Sequence, residues 1–481
     1  MAERTALQHL TGFAILMAVA VALRLDTFGD PNLHGDEVFY QTVGVAMHHG
    51  ALPYVDVWDR KPFGLFALSW LIAAFSGSMP AFQIAATLFA AGTAWAITAL
   101  AREWAGNRGA MLAGVAYLLW LAPLQGFGGQ SPVFYNLFIA MAGLLVFRAR
   151  RALAHGRVPP STYTAMLVAG CGVTVKTSAL FEAAFLGLYA TWTLWRSGSN
   201  GSTVLRTATG WATVGAAPAL AIAIAYAAMG HWPEYWHAMV TANLDKPPHW
   251  PTSLMRLKVM AIALVPLALF AALGLARTKG EARTFVLAWI AAALLGLAAV
   301  PNFYLHYALP LTVPLCVAAA AFLGQGALGS AATALLAALS LTVAPIKPGH
   351  AARSAAAIDR LEKLVRTHIG SGPLLLYDAP PQLYVRTGQP FVTPLVFPTH
   401  LAHLIERDVS HLSTLAETRR VLALRPGAIA MAVPPRNTPV NEATHKLVLA
   451  YVGRNCRLID VVPTLERQRT DMIAVWGDCN K

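Results

Sequence analysis

Long apolar stretches alternate with short polar ones along the first 346 residues. A bilayer-spanning helix needs about 20 mostly apolar residues. Segments that meet this requirement, or nearly so, are Leu10–Leu25, Ala81–Ala101, Gly109–Leu124, Val133–Arg148, Thr162–Lys176, Ala179–Trp195, Ala208–Met229, Val259–Ala276, Thr284–Val300, Ala308–Leu323 and Leu328–Ala344. The pattern predicts an α-helical polytopic membrane protein of about 11 spans. Gly324-Gln325-Gly326 is the only break between the last two. Basic residues gather at Arg102–Arg108, at Arg148 to Arg157, at Arg196–Arg206 and at Arg277 to Arg283. Lys and Arg mark cytoplasmic loops, so these connections are expected inside. The opposite side then receives Asp26–Met79, Gln125–Pro132, Gly230–Lys258 and Pro301–Tyr307, and an odd span count places the C-terminal region outside as well.

The first outer loop, residues 27–79, is long, and long loops are usually functional. Within it, Asp36–His48 reads as a short helix with Phe39, Val43 and Met47 on one face. Pro62–Phe75 is apolar on most faces and too short to span with ease, as expected of an interfacial or re-entrant helix. Beyond Lys347 the pattern changes. Leu374–Tyr377, Ala428–Val433, Leu458–Val462 and Met472–Trp476 read as strands. Ser354–Ile369, Leu412–Leu424 and Asn441–Val452 read as helices. The alternation predicts a small α/β domain. The expected organisation is a membrane domain over residues 1–346, including the first loop, and a soluble domain over residues 347–481.

Composition agrees and narrows the classes. The 481 residues are 56% hydrophobic and 12% charged, with mean hydropathy +0.52. An ordinary soluble domain carries about 25% charged residues. That excludes a conventional soluble enzyme and a disordered chain. The net charge of +13 comes with no basic run interleaved with aromatics, so nucleic acid is not an expected partner. The C-terminal 135 residues hold 17 basic and 11 acidic side chains. Of the 12 acids before them, six (Asp26, Asp30, Asp36, Glu37, Asp56 and Asp59) crowd into one stretch that begins just before the first loop and continues within it.

The scarce acids mark the candidate chemistry. Asp36 and Glu37 can hold a divalent cation or act as a general base. They can equally cap the helix that begins there. The segment Gly50–Pro62 packs Tyr54, Asp56, Trp58, Asp59, Arg60 and Lys61 together. Its aromatics read as membrane-interface residues and its cations as snorkelling chains, or the cations bind a phosphate headgroup. Lys176 ends one span and Glu182 begins the next, either as a structural ion pair or as functional charges. His306 and Tyr307 lie at another outer helix end, and Tyr135 and Asn136 at the top of the fourth span. Cys456 and Cys479 flank the last two strands, as a disulfide or as two thiols. Cys171 and Cys316 lie in apolar spans as small core residues. Walker, GxGxxG, HExxH and CxxC motifs are absent, which argues against an ATP-driven pump, a redox carrier and a zinc protease.

His34-Gly35-Asp36-Glu37-Val38-Phe39-Tyr40, followed by Gly50-Ala51-Leu52-Pro53-Tyr54-Val55-Asp56 and Lys61-Pro62-Phe63-Gly64, resembles the signature loop of polytopic GT-C glycosyltransferases. The similarity is to the protein-mannosyltransferase-like and aminoarabinose-transferase-like group, glycosyltransferase family 39/83. Gly172 to Lys176, and His306-Tyr307 followed by Pro310 and Pro314, are weaker matches. Phe63 stands where the family pattern has a second proline. The resemblance implies a GT-C membrane domain in a bacterial inner membrane, with its active site and α/β domain on the periplasmic side. It implies a polyprenyl-phosphate-linked sugar donor, a lipid, glycan or protein acceptor, and an inverting displacement. Asp36, with Glu37 beside it, matches the catalytic acid, and Asp36 is also the candidate metal ligand. Lys61, with Arg60 and Lys176, is expected near the donor phosphate. Tyr40, Tyr54, Asp56, Asp59, Asn136, His306 and Tyr307 are expected around the substrates. Two readings of other classes compete: a transporter or flippase of lipid-linked glycans, and a membrane scaffold whose outer domain binds cell-wall material.

Overall fold

The computed structural model describes residues 2–244, 249–436 and 439–479. The chain divides into two compact units. One comprises Met1–Leu25, Ile84–Ile224 and Pro248–Ile346, and the other Asp26–Gln83, Ala225–Pro247 and Lys347–Lys481.

The first unit is helical. All eleven apolar segments fall on helices. Two of them share the 43-residue helix Met79–Leu121, which turns at Gly106, where a φ of 67° suits glycine. Among the described residues, eight helical stretches are long and apolar enough to cross a membrane. Pro160–Val175 and Leu180–Arg196 are shorter, at 16 and 17 residues. With lipid as solvent, helices approach through small residues. A Cβ on Gly170 would lie 2.0 Å from the Gly215 carbonyl oxygen, and one on Gly274 would lie 2.1 Å from that of Ala318. Neither contact tolerates a side chain. The buried Arg24 finds its partners inside the bundle, its guanidinium donating to the carbonyls of Gly126 (2.8 Å) and Gly128 (3.0 Å).

The second unit is built on a four-stranded sheet of β1 (Leu374–Leu376), β2 (Ala428–Ala432), β3 (Arg457–Leu465) and β4 (Thr470–Gly477). The order is β1-β2-β4-β3, with β1 and β2 parallel and the other pairs antiparallel. The helices His350–His368, Thr414–Ala423 and Glu442–Asn455 cover the expected helical segments. The first loop belongs to this unit, whereas the sequence assigned it to the membrane domain. The reason is burial. Trp58 of the loop and Ala242 share an apolar cluster with Leu375, Tyr377, Leu401, Ile429 and Val448. Asp26 reinforces it by accepting from the Arg467 guanidinium (2.9 Å) and the Lys347 amide (2.8 Å). Trp58 and Tyr54 are fully buried, so the membrane-interface reading of these two rings is corrected.

Cys456 and Cys479 form a disulfide across the β3–β4 hairpin. Closing a 23-residue separation removes unfolded-state entropy worth about 3 kcal/mol. The Cys456→Ala/Cys479→Ala double variant should lose about that much stability. Denaturant unfolding of the purified protein checks it, and an unchanged midpoint would remove the bond from the stability account.

Candidate functional site

The helix Gly35–Met47 opens at His34, whose backbone is extended and whose Nδ1 accepts from the Asp36 amide at 3.2 Å. Capping therefore falls on His34 and not on Asp36, which corrects the capping alternative. The Asp36 carboxylate takes a different partner, with its Oδ1 3.4 Å from Lys61 Nζ. Glu37 is fully buried in the same first turn. Both acids lie at the positive end of the helix dipole.

Lys61 is delivered by a tight turn. Asp56 Oδ2 accepts from the Leu52 amide (2.8 Å), which ties the turn together. Tyr54 takes a left-handed φ of 71° and its amide donates to the Val57 carbonyl (2.6 Å). Its hydroxyl donates to the Lys61 carbonyl (2.9 Å). Tyr226 and Tyr235 stack beside it, and the Tyr226 hydroxyl donates to the Pro53 carbonyl (3.1 Å). A strained residue persists when its surroundings over-determine it, and these contacts hold Tyr54 in place.

Asp59 completes the cluster. It accepts from the Lys61 amide (3.0 Å) and from Lys61 Nζ (3.1 and 3.3 Å). The ammonium thus lies between Asp36 and Asp59. The rings of Phe397 (4.8 Å), Tyr40 (5.3 Å) and Phe39 (5.6 Å) surround it. Burial works against its charge, but the attraction of Asp59 and then Asp36 outweighs it, so its pKa stands above the usual lysine value. Arg60, expected at the phosphate, pairs with Glu406 at 2.7 Å.

The membrane unit holds a second group. Lys176 terminates its helix in extended backbone, and its ammonium lies 5.1 Å from the Tyr307 ring centre. Lys176, Glu182, Tyr135, Ser178 and Tyr307 line a cavity of about 20 Å³, the size for a water. Glu182 accepts from the Trp289 indole at 2.7 Å. Asn136 lies outside this cavity, donating to the Tyr117 hydroxyl (3.3 Å) and the Leu309 carbonyl (3.1 Å). His306 is buried, stacked on Tyr304 and edge-on to Tyr307.

Asp36, Asp59, Tyr40 and Lys61 thus converge, Tyr54 supports them through the backbone, and Lys176 and Tyr307 form their own group. Sequence reasoning missed His34 as the cap, and Phe397, His400 and Glu406 as neighbours of the loop. These last three lie more than 300 residues further along, and no local pattern signals them. A divalent cation has a poor donor set here. Among the described residues no group of three or more His, Cys, Asp or Glu side chains gathers as a cage. The carboxylates of Asp36 and Asp59 already converge on an ammonium.

No family and no curated protein sequence matches this chain. Among solved structures it is similar to ArnT from Cupriavidus metallidurans bound to undecaprenyl phosphate. The two share a TM-score of 0.60 and 14% identity over 96% of this chain and 97% of that one. ArnT in the apo state aligns over 98% of each chain at 14% identity and a TM-score of 0.44. The fold is therefore that of ArnT, as the resemblance of the first loop led us to expect.

Proposed function

We propose that this GT-C-fold membrane protein is a glycosyltransferase that takes a sugar from a polyprenyl-phosphate-linked donor. The observation that carries the reading is the Asp36–Lys61–Asp59 cluster at the start of the Gly35–Met47 helix. It brings a carboxylate able to accept a proton beside a cation able to meet a phosphate. The undecaprenyl phosphate bound by ArnT supports the choice of donor.

In this reading the acceptor is a lipid, glycan or protein bearing a nucleophilic hydroxyl or amine. Asp36 takes its proton as the nucleophile attacks the anomeric carbon from the face opposite the phosphate. The bond from that carbon to the phosphate oxygen breaks, its electron pair leaves with the phosphate, and the configuration inverts. Lys61 stabilises the charge that develops on the leaving oxygen. Asp59 keeps Lys61 protonated and aimed, and Glu37 supports Asp36 from the same turn. Lys176, with Tyr307, is a second candidate for the donor phosphate. The Cys456–Cys479 disulfide supports an oxidising, extracytoplasmic location for the C-terminal region, as in the periplasm of a bacterium.

Because Lys61 supplies the positive charge, transfer should not need a metal. Enzyme treated with EDTA should keep at least about half its rate, since no step of the displacement is routed through a metal ion. Abolition by EDTA with recovery on adding Mg²⁺ or Mn²⁺ would restore Asp36 as a metal ligand.

The direct test is purified protein in nanodiscs with polyprenyl-phosphate-linked pentoses and hexoses. Consumption of one donor with release of polyprenyl phosphate is expected. Movement of the intact donor between leaflets, with no sugar released, would indicate a flippase and end the transferase reading.

A further inference from the structure

Four consecutive residues of the first loop each meet one short segment of the C-terminal region. The Trp58 amide donates to the Pro394 carbonyl at 2.9 Å, and its ring packs edge-on to His400 at 5.0 Å. Asp59 Oδ2 lies 4.0 Å from His400 Nε2. Arg60 pairs with Glu406 at 2.7 Å. Lys61 lies 4.8 Å from the Phe397 ring centre. The chemistry is matched position by position. An aromatic faces an aromatic, a carboxylate faces an imidazole, a guanidinium faces a carboxylate and an ammonium faces a ring.

We propose that the segment Pro394–Glu406 is a positioning clamp for the donor-phosphate cations, with Phe397 setting Lys61 and Glu406 setting Arg60. The proposal rests on the transferase reading above and adds to it a task for the C-terminal region. None of the clamp residues needs to touch the phosphate. Phe397 offers a ring face that holds the ammonium without adding a third anion to Asp36 and Asp59, which already pair with it. Glu406 fixes a guanidinium that would otherwise sample many rotamers. His400 is buried, and burial pushes its pKa down to about 4, so it stays neutral at working pH. A neutral imidazole packs against Asp59 without competing with Lys61 for it. A cation at position 400 would compete.

Electrostatics alone makes a distinguishing forecast. Removing an anion near an anion-binding site should tighten binding. If Glu406 acts by positioning, Glu406→Gln should instead weaken it. The experiment titrates undecaprenyl phosphate into full-length protein in nanodiscs and follows binding and, separately, turnover. Glu406→Gln and Phe397→Leu should each weaken binding about fivefold, a typical loss for one oriented cation contact, and raise the donor KM. Because Lys61 also meets the leaving oxygen, Phe397→Leu should lower kcat as well, whereas Glu406→Gln should leave it within about twofold. Glu406→Asp and Phe397→Tyr should recover most of the loss. In an Arg60→Ala background, Glu406→Gln should add nothing, because its effect passes through Arg60. Wild-type binding with unchanged affinity in Glu406→Gln and Phe397→Leu overturns the clamp and leaves the transferase reading standing. Tighter binding in Glu406→Gln overturns it too. No binding by the wild type overturns the clamp and the transferase reading together.

Discussion

Asp36→Asn lowers sugar transfer by about a thousandfold, the midpoint of what a positioned general base contributes. The amide keeps the shape of the carboxylate but cannot take a proton. It also removes one of the two anions on Lys61, whose Nζ stands 3.4 Å from Asp36 and 3.1 Å from Asp59. Because Asp59 stays, Lys61 remains charged and paired. Donor affinity should therefore change by less than about threefold, and the loss should fall on kcat. Steady-state kinetics with a fixed acceptor and varied donor separates the two. A variant with kcat within about tenfold of wild type would take Asp36 out of the proton-transfer step. Glu37→Gln, made beside it, tests whether the neighbouring acid shares that work.

Lys61→Met should be the most damaging single change to the stability of the second unit. Lys61 is the shared counter-charge of Asp36 and Asp59. Removing it leaves two carboxylates facing each other, and breaking a buried ion pair costs about 3 kcal/mol. The variant should also acquire a pH dependence. With no cation between them, the two acids shed their first proton normally, but the second is held to a higher pH. A folded-state carboxylate pKa above its unfolded value makes the native state most stable at low pH. That stability is then lost as pH rises through the raised pKa. Thermal unfolding should therefore show a smaller deficit at pH 5 than at pH 8. In the wild type the Lys61 pKa lies above the ordinary lysine value. Its stabilising contribution is complete below that ordinary value and fades only in stronger alkali, so no such slope is expected near neutrality. Equal melting temperatures for variant and wild type at both pH values would show that Lys61 is not the counter-charge.

Several features of the molecule could be read without coordinates. Each apolar segment declared itself by length alone, because hydrocarbon tolerates only backbone that satisfies its own hydrogen bonds. The helix beginning at Asp36, the helix ending at Phe75, and the four strands beyond Lys347 followed from period and from turn residues. The acid pair and Lys61 stood out because charges are scarce in this chain. All of these are properties of single residues and their near neighbours, chiefly each residue's preference for water or for an apolar medium.

Partner choice is of a different kind. Asp36 could have capped its own helix, and His34 takes that cap instead. Arg60 read as a snorkelling chain or a phosphate ligand, and only the structure shows that it is paired with Glu406. Cys456 and Cys479 were equally readable as thiols until the β3–β4 hairpin brought their Cα atoms to 4.0 Å. Trp58 looked like an interface aromatic, and it anchors the apolar cluster of the C-terminal region. The sequence by itself determined a polytopic helical protein, a small α/β sheet and a charged first loop. Only the tertiary structure decided that this loop belongs with the sheet and that Asp36 and Asp59 converge on Lys61. Apolar periodicity reports which side of a segment is buried, but not against what. That is settled by chain closure over hundreds of residues, where contact energies of about 1 kcal/mol each act together on geometry no local pattern encodes.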